Sequence, residues 1–199
     1  MIPGMIEQIL WRNQGQVLTP ELIVGILHGC NFTPDNSVAS LGIAPMEYKG
    51  VTFAVERIAD IQKEIAPLHD MHWRESESFR HGLPLSPNYS QWIADERAGS
   101  FILFTVRELG ILMGYCQVYV TTSNHTGTKI CNEDALFLHP GVRRGLICAQ
   151  FAKYSESVVK RLGVREVRLS VKVTNEIWKL WERMGYQRTG YELVKILED

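Results

Sequence analysis

The sequence predicts an α/β fold of the α+β kind: a mixed sheet with helices, preceded by an N-terminal helical extension. Three observations predict it. Phe101 to Val106, Ile111 to Thr121 and Lys129 to Leu138 are β-rich runs joined by short polar turns, which makes an antiparallel meander. At His139-Pro140-Gly141 the apolar pattern changes to a helical period. Strand and helix patterns then alternate to the end of the chain, so strands flank a strand-loop-helix crossover and the sheet must be mixed.

The elements follow in order. Thr19-Pro20-Glu21 reads as an N-cap with Pro at the first helical position, opening a helix to about His28. A loop rich in Gly, Asn, Pro and Ser runs from Gly29 to about Pro45 and marks the boundary between a helical appendage, residues 1–48, and a main domain, residues 49–199. Val51 to Val55 reads as a strand, Glu56 to Ala66 as a helix stopped by Pro67, and Leu68 to about Phe79 as a second helical stretch. A loop with two prolines, His81 to Tyr89, precedes a short helix to about Arg97. Past the meander, Ile147, Phe151, Tyr154, Val158 and Leu162 recur at helical spacing until Gly163. Val167, Leu169 and Val171 alternate with Arg168, Ser170 and Lys172, a strand with one polar face. Asn175 to Met184 reads as a helix closed by Gly185, and Tyr191 to Leu197 as a last strand.

The 199 residues, 45% hydrophobic and 22% charged, suffice to bury a core and exclude disordered, collagen-like and coiled-coil classes. Apolar runs reach only four residues, and the opening MIPGMIEQIL has no basic region ahead of its apolar residues, so neither a membrane span nor a secretory signal is expected. The four cysteines are isolated, which argues against zinc and a disulfide framework and for a reducing, cytoplasmic setting. The net charge of −1 hides an asymmetry: residues 1–138 carry 9 Lys/Arg against 15 Asp/Glu, and residues 139–199 carry 12 against 7. That excludes an overall basic nucleic-acid footprint and leaves room for a polyanionic small molecule near the C-terminal third.

The informative junction is Leu136-Phe137-Leu138-His139-Pro140-Gly141-Val142-Arg143-Arg144-Gly145-Leu146. A strand runs through a short basic loop into a helix, so the first helical N–H groups and the helix dipole face the loop, an arrangement that holds anions. A sharp turn with two solvated arginines is the plain alternative.

Three blocks together resemble the GNAT superfamily of acyl-CoA-dependent N-acyltransferases over about residues 50–199. They are Glu133 to Pro140 with the Arg-Arg-Gly loop, Leu169-Ser170-Val171 with Thr174-Asn175, and Leu180-Trp181-Glu182-Arg183-Met184-Gly185-Tyr186. The resemblance implies that the family's fourth and fifth strands part and admit the pantetheine arm of acetyl-CoA. It places the backbone of Phe137 and Leu138 on pantetheine, and the loop Val142, Arg143, Arg144, Gly145 and Leu146 on the pyrophosphate. Asn175 would reach the cofactor, or else serve as a plain N-cap. The Leu138 N–H would polarise the thioester carbonyl. Two departures stand out: the loop has one glycine, placed a position early, and Trp181 occupies the place of the family's frequent general-acid tyrosine.

An ammonium cannot attack a thioester, so a base must take its proton, directly or through water. Glu133 and Asp134 are the candidates, with solvated strand-end carboxylates as the alternative, and His72 is a candidate relay or acceptor-site wall, with a surface or satisfied core histidine as the alternative. His69 and His72, three apart beside Trp73, lack a third ligand, so no metal is expected. The implied function is transfer of acetyl from acetyl-CoA to an amine, on a small molecule or a protein, by direct attack. The alternative is a non-catalytic CoA-binding or protein-interaction module. Val171 to Asn175 and the His81 to Leu85 loop are also similar to GNAT proteins of phages and prophages. The apolar stretch Leu22-Ile23-Val24 with Ile26-Leu27 needs cover, either back on the main domain or against a second subunit, and the extension's absence from the minimal family fold points to a homodimer.

Overall fold

A computed structural model describes residues 11–17, 19–29, 35–76, 78, 84–172 and 174–195. The chain packs into two compact units, residues 1–36 and 37–199. In the first, helix α1 (Pro20–Gly29) opens as its sequence predicts, with the Leu22 N–H donating to Thr19 Oγ1 at 3.2 Å.

The second unit is built on six strands whose spatial order is also their chain order: β1 (Met46–Tyr48), β2 (Val51–Val55), β3 (Phe101–Glu108), β4 (Ile111–Thr122), β5 (Lys129–Leu138) and β6 (Val164–Arg168). All neighbours are antiparallel except β5 and β6, which are parallel, so the sheet is mixed. The expected boundary after residue 48 falls inside this unit, since Val38 is buried in its core and β1 is its first strand.

Helices α2 (Ile58–Ser76) and α3 (Tyr89–Ala98) cover one face of the sheet, packing on Phe101, Leu103, Tyr115 and Phe137. Helix α4 (Ile147–Arg161) covers the other, where Ile147, Phe151, Tyr154 and Val158 meet Phe53, Phe104 and Cys116. Strand β3, covered on both faces, is buried at six successive positions from Phe101 to Val106, which explains its unbroken apolar run.

Pro67 does not stop a helix. It sits inside α2, on the exposed side with Lys63, whose carbonyl loses its usual donor but stays open to water. That defect costs about 3 kcal/mol; burying Ile58, Ile61, Ile65 and Leu68 at about 1.5–3 kcal/mol each outweighs it. Glu96 of α3, itself buried, caps the start of α2 by accepting the Ile58 N–H at 3.1 Å.

Toward the C-terminus the structure corrects three expectations. Strand β6 is Val164–Arg168 and ends before Leu169, because it pairs only as far as β5 runs beside it. The last helix shortens to α5 (Trp178–Arg183). Residues 191–195 pair with no strand: Tyr191 and Leu193 are 96% and 94% exposed, and alternation without a neighbour does not make a strand. Ile196 and Leu197 lie outside the described residues, as do Phe79 and His81 to Leu83.

Candidate active site

Strand β5 is paired along its whole length with β4 but only from Lys129 to Asn132 with β6. From Glu133 to Leu138 its second edge is open. The His139 N–H donates to the Met113 carbonyl of β4 at 2.7 Å. Antiparallel alternation therefore turns the N–H and C=O of Leu138 and Leu136 toward the open edge, whereas those of Phe137, expected on pantetheine, face β4 instead. Arg143 Nε donates to the Leu138 carbonyl there at 2.6 Å. Gly114 lies opposite Leu138, and a Cβ on it would come within 2.8 Å of the Phe137 carbonyl oxygen and 2.6 Å of Leu138 Cδ2, so the two strands meet only because residue 114 is glycine.

The open edge leads into the loop. A short 3-10 turn, Pro140–Val142, uses the N–H groups of Val142 and Arg143 on the carbonyls of His139 and Pro140, and the Arg144 N–H donates to the Val142 carbonyl. The Val142 side chain is fully buried and anchors the loop in the core. Gly145 then takes φ +56°, a left-handed conformation. Among the described residues, the N–H groups of Gly145, Leu146, Cys148 and Ala149 find no acceptor. Of the loop residues singled out in the sequence, Gly145 and Leu146 thus present free donors. Cys148 and Ala149 join them from the first turn of α4, positions the general rule for helix N-termini could have supplied.

Both loop arginines turn their side chains to carboxylates. Arg143 grips Glu75 of α2 in a bidentate pair at 2.8 and 2.7 Å and lies 5.1 Å from the Phe137 ring centre. Arg144 bonds Glu108 and the Gly141 carbonyl.

Glu133 and Asp134 sit where β5 leaves β6. The register jumps between Gln117 and Val118, opposite Ala135 and Glu133, so Asp134 is an extra, unopposed residue in a β-bulge. Glu133 shares a face with Val118, on the α4 side of the sheet. Its carboxylate accepts the Ser170 N–H at 3.4 Å, just past the end of β6. Burial pushes its pKa up from 4.5 to about 7, against the pull of the Ser170 N–H. Partial desolvation also raises Asp134, although the residue stays exposed at the bulge.

On the opposite face, the rings of Tyr89, Trp92, His69, Tyr115, His72 and Phe137 form a contiguous series with centroids 4.7 to 5.8 Å apart. His72 Nδ1 is 2.8 Å from Tyr115 Oη, and its ring stacks on Phe137. His69 is buried, with Nδ1 3.0 Å from Tyr89 Oη; burial, then the neighbouring His72, lowers its pKa to about 4, so it is neutral at pH 7. Tyr115, which the sequence did not flag, is buried and raised far above a normal phenol by that burial, so it remains protonated.

Asn175 is exposed, with Oδ1 accepting the Ile177 N–H at 3.0 Å in the turn before α5, the role of a plain cap. Trp181 is buried and packs edge-on against Tyr186. Among the described residues no group of three or more side chains could hold a metal ion, and no helix is long and apolar enough to cross a membrane.

No family model and no curated protein matches the sequence. Solved structures do match. A ribosomal-protein-alanine N-acetyltransferase from Brucella melitensis biovar Abortus 2308 is 17% identical with a TM-score of 0.61, covering 75% of this chain and 99% of that one. An aminoglycoside acetyltransferase from an uncultured soil metagenomic sample, HMB0005, is 12% identical at 0.61, covering 74% and 99%. A possible acetyltransferase from Clostridium difficile 630 is 14% identical at 0.60, covering 76% and 99%. The chain has the GNAT acetyltransferase fold. In the GNAT fold seen here, β5 is the strand that carries the bulge, the open edge and the loop.

Proposed function

We propose that this chain is an N-acetyltransferase that moves the acetyl group of acetyl-CoA to a primary amine by direct attack. One observation carries the reading: an open strand edge, Glu133 to Leu138, that runs into four free N–H groups at the head of α4. An extended amide-bearing arm can pair with such an edge as an added strand does, and free N–H groups at a helix start suit a diphosphate. The backbone of Leu136 and Leu138 would hold the pantetheine arm. Gly145, Leu146, Cys148 and Ala149 would hold the pyrophosphate.

Acetyl-CoA supplies an activated thioester. The Leu138 N–H, on the open edge, would polarise its carbonyl as a single-donor oxyanion site. Glu133 is the preferred base: a carboxylate with pKa near 7 both ionises at neutral pH and holds a proton well. It stands five residues along the strand from Leu138 and on the face of the sheet opposite the ring wall, so the amine's proton would reach it only through water passing the open edge of β5. Trp181 at the tyrosine position does not forbid turnover. A thiolate of pKa about 8.5 leaves unprotonated near pH 7 at a cost of only about 2 kcal/mol. The ring series from Tyr89 to Phe137, with His72 nearest Phe137, would form the acceptor wall.

The test pairs thermal shift with acetyl-CoA and thiol release measured with DTNB over a panel of amines, including a lysine peptide, an N-terminal alanine peptide and an aminoglycoside. Stabilisation with thiol release supports the enzyme. Stabilisation without release on any amine favours the non-catalytic CoA-binding module, a reading to which buried Trp181 and the carboxylate-paired arginines lend some support. The partner we propose for α1 is a second copy of the chain, since Ile23 and Val24 are 42% and 51% exposed.

A further inference from the structure

Arg143 holds three pieces of the fold at once. Its guanidinium makes two parallel bonds to Glu75 in the last turn of α2, its Nε fills the Leu138 carbonyl on the open edge of β5, and its plane lies by the Phe137 ring. The backbone that carries it is the anion loop, two residues before the free N–H of Gly145. Each of these partners resembles a part of the expected cofactor. An N–H donor at the Leu138 carbonyl is what an added amide strand would bring to that edge. A planar, doubly accepting anion on the guanidinium is what a phosphate oxygen pair would offer it.

We propose that Glu75 is a placeholder for the cofactor's diphosphate. In the free protein it holds Arg143 across the groove; on binding, the diphosphate takes the guanidinium, and Glu75 is released one turn beyond His72 on α2. The inference rests on the CoA-binding reading above. The energetics favour exchange over a fixed brace. The pair is open to water, with side chains 39% and 51% exposed. A pair this exposed contributes about 1 kcal/mol, bidentate geometry included. A diphosphate brings more charge, and the free N–H groups of the same loop hold it in place. The released carboxylate then lies beside the ring wall, where it adds negative charge for an ammonium acceptor.

The experiment is a double-mutant cycle on CoA affinity by calorimetry, using wild type, Glu75→Gln, Arg143→Ala and the double variant, with hydrogen exchange of α2 with and without CoA. Glu75→Gln is expected to bind CoA about two- to fivefold more tightly, the range of an exposed ion pair. That gain should vanish in the Arg143→Ala background, which separates release of the arginine from simple removal of a negative charge. Residues 72–76 should exchange faster with CoA bound while residues 140–149 become protected. Unchanged or weaker CoA binding in Glu75→Gln, a gain that persists without Arg143, or protection of residues 72–76 by CoA would each overturn the placeholder. Failure of wild type and every variant to bind CoA would instead overturn the cofactor reading, and the placeholder with it.

Discussion

Glu133→Gln separates a carboxylate kept for chemistry from one that merely ends a strand. In the native protein burial raises Glu133 from 4.5 to about 7. The native state therefore holds a proton that the unfolded chain has released over that interval, and stability must fall as pH rises from 4.5 through 7. The interval, at about 1.4 kcal/mol per pH unit, corresponds to about 3 kcal/mol of destabilisation fully present above pH 7 and absent below 4.5. Glutamine has the same shape and never ionises. The variant should match wild type in urea unfolding at pH 4 and exceed it by up to about 3 kcal/mol at pH 8, while losing thiol-release activity mainly in kcat. Wild-type activity should climb as pH passes about 7, the base form appearing there, and the variant should lack that step. A stability difference that stays constant with pH would show that Glu133 is not perturbed. An unchanged pH–rate profile in the variant would remove it from the mechanism and promote Asp134 or His72.

Gly114→Ala should force β4 from β5, since its Cβ would meet the Phe137 carbonyl oxygen at 2.8 Å; expect about 1–3 kcal/mol lost in urea unfolding and CoA binding lost with it. Gly145→Ala meets no atom within 4 Å but must adopt φ +56°, which costs about 1–2 kcal/mol; calorimetry should show weaker CoA binding with little change in the protein's secondary structure. Arg143→Ala with Arg144→Ala should weaken CoA markedly, and equal affinity would refute the placement of the anion loop. Deleting residues 1–36 removes the first compact unit and leaves the second whole; the shortened protein should still bind acetyl-CoA but sediment as a monomer, and a truncation that remains dimeric would refute the role of α1.

Much of the fold was legible because its signals are local. The meander appears as β-rich runs between polar turns, and the two-residue turn Leu109-Gly110, with φ of 50° and 82°, is the type that closes a twisted hairpin. Helix α4 repeats apolar residues at helical spacing, and Ile147, Phe151, Tyr154 and Val158 are all buried. The strand-loop-helix junction after Leu138 likewise stands in the sequence as a change of period.

Other features have no local cause. Pro67 reads as a stop, and only packing of α2 on the sheet carries the helix through it. Three residues from Met46 to Tyr48 are too short a signal, yet β2 beside them makes a strand. The sequence by itself determined the classes of element, their order and the basic loop, because propensity, capping and period act over a few residues. Tertiary structure alone decided where β5 and β6 part, that Asp134 bulges, that Arg143 meets Glu75, and that Glu133 is buried enough to titrate near neutrality. Each depends on residues 15 or more positions apart, and pairing, ion contact and desolvation are properties of what surrounds a residue in space.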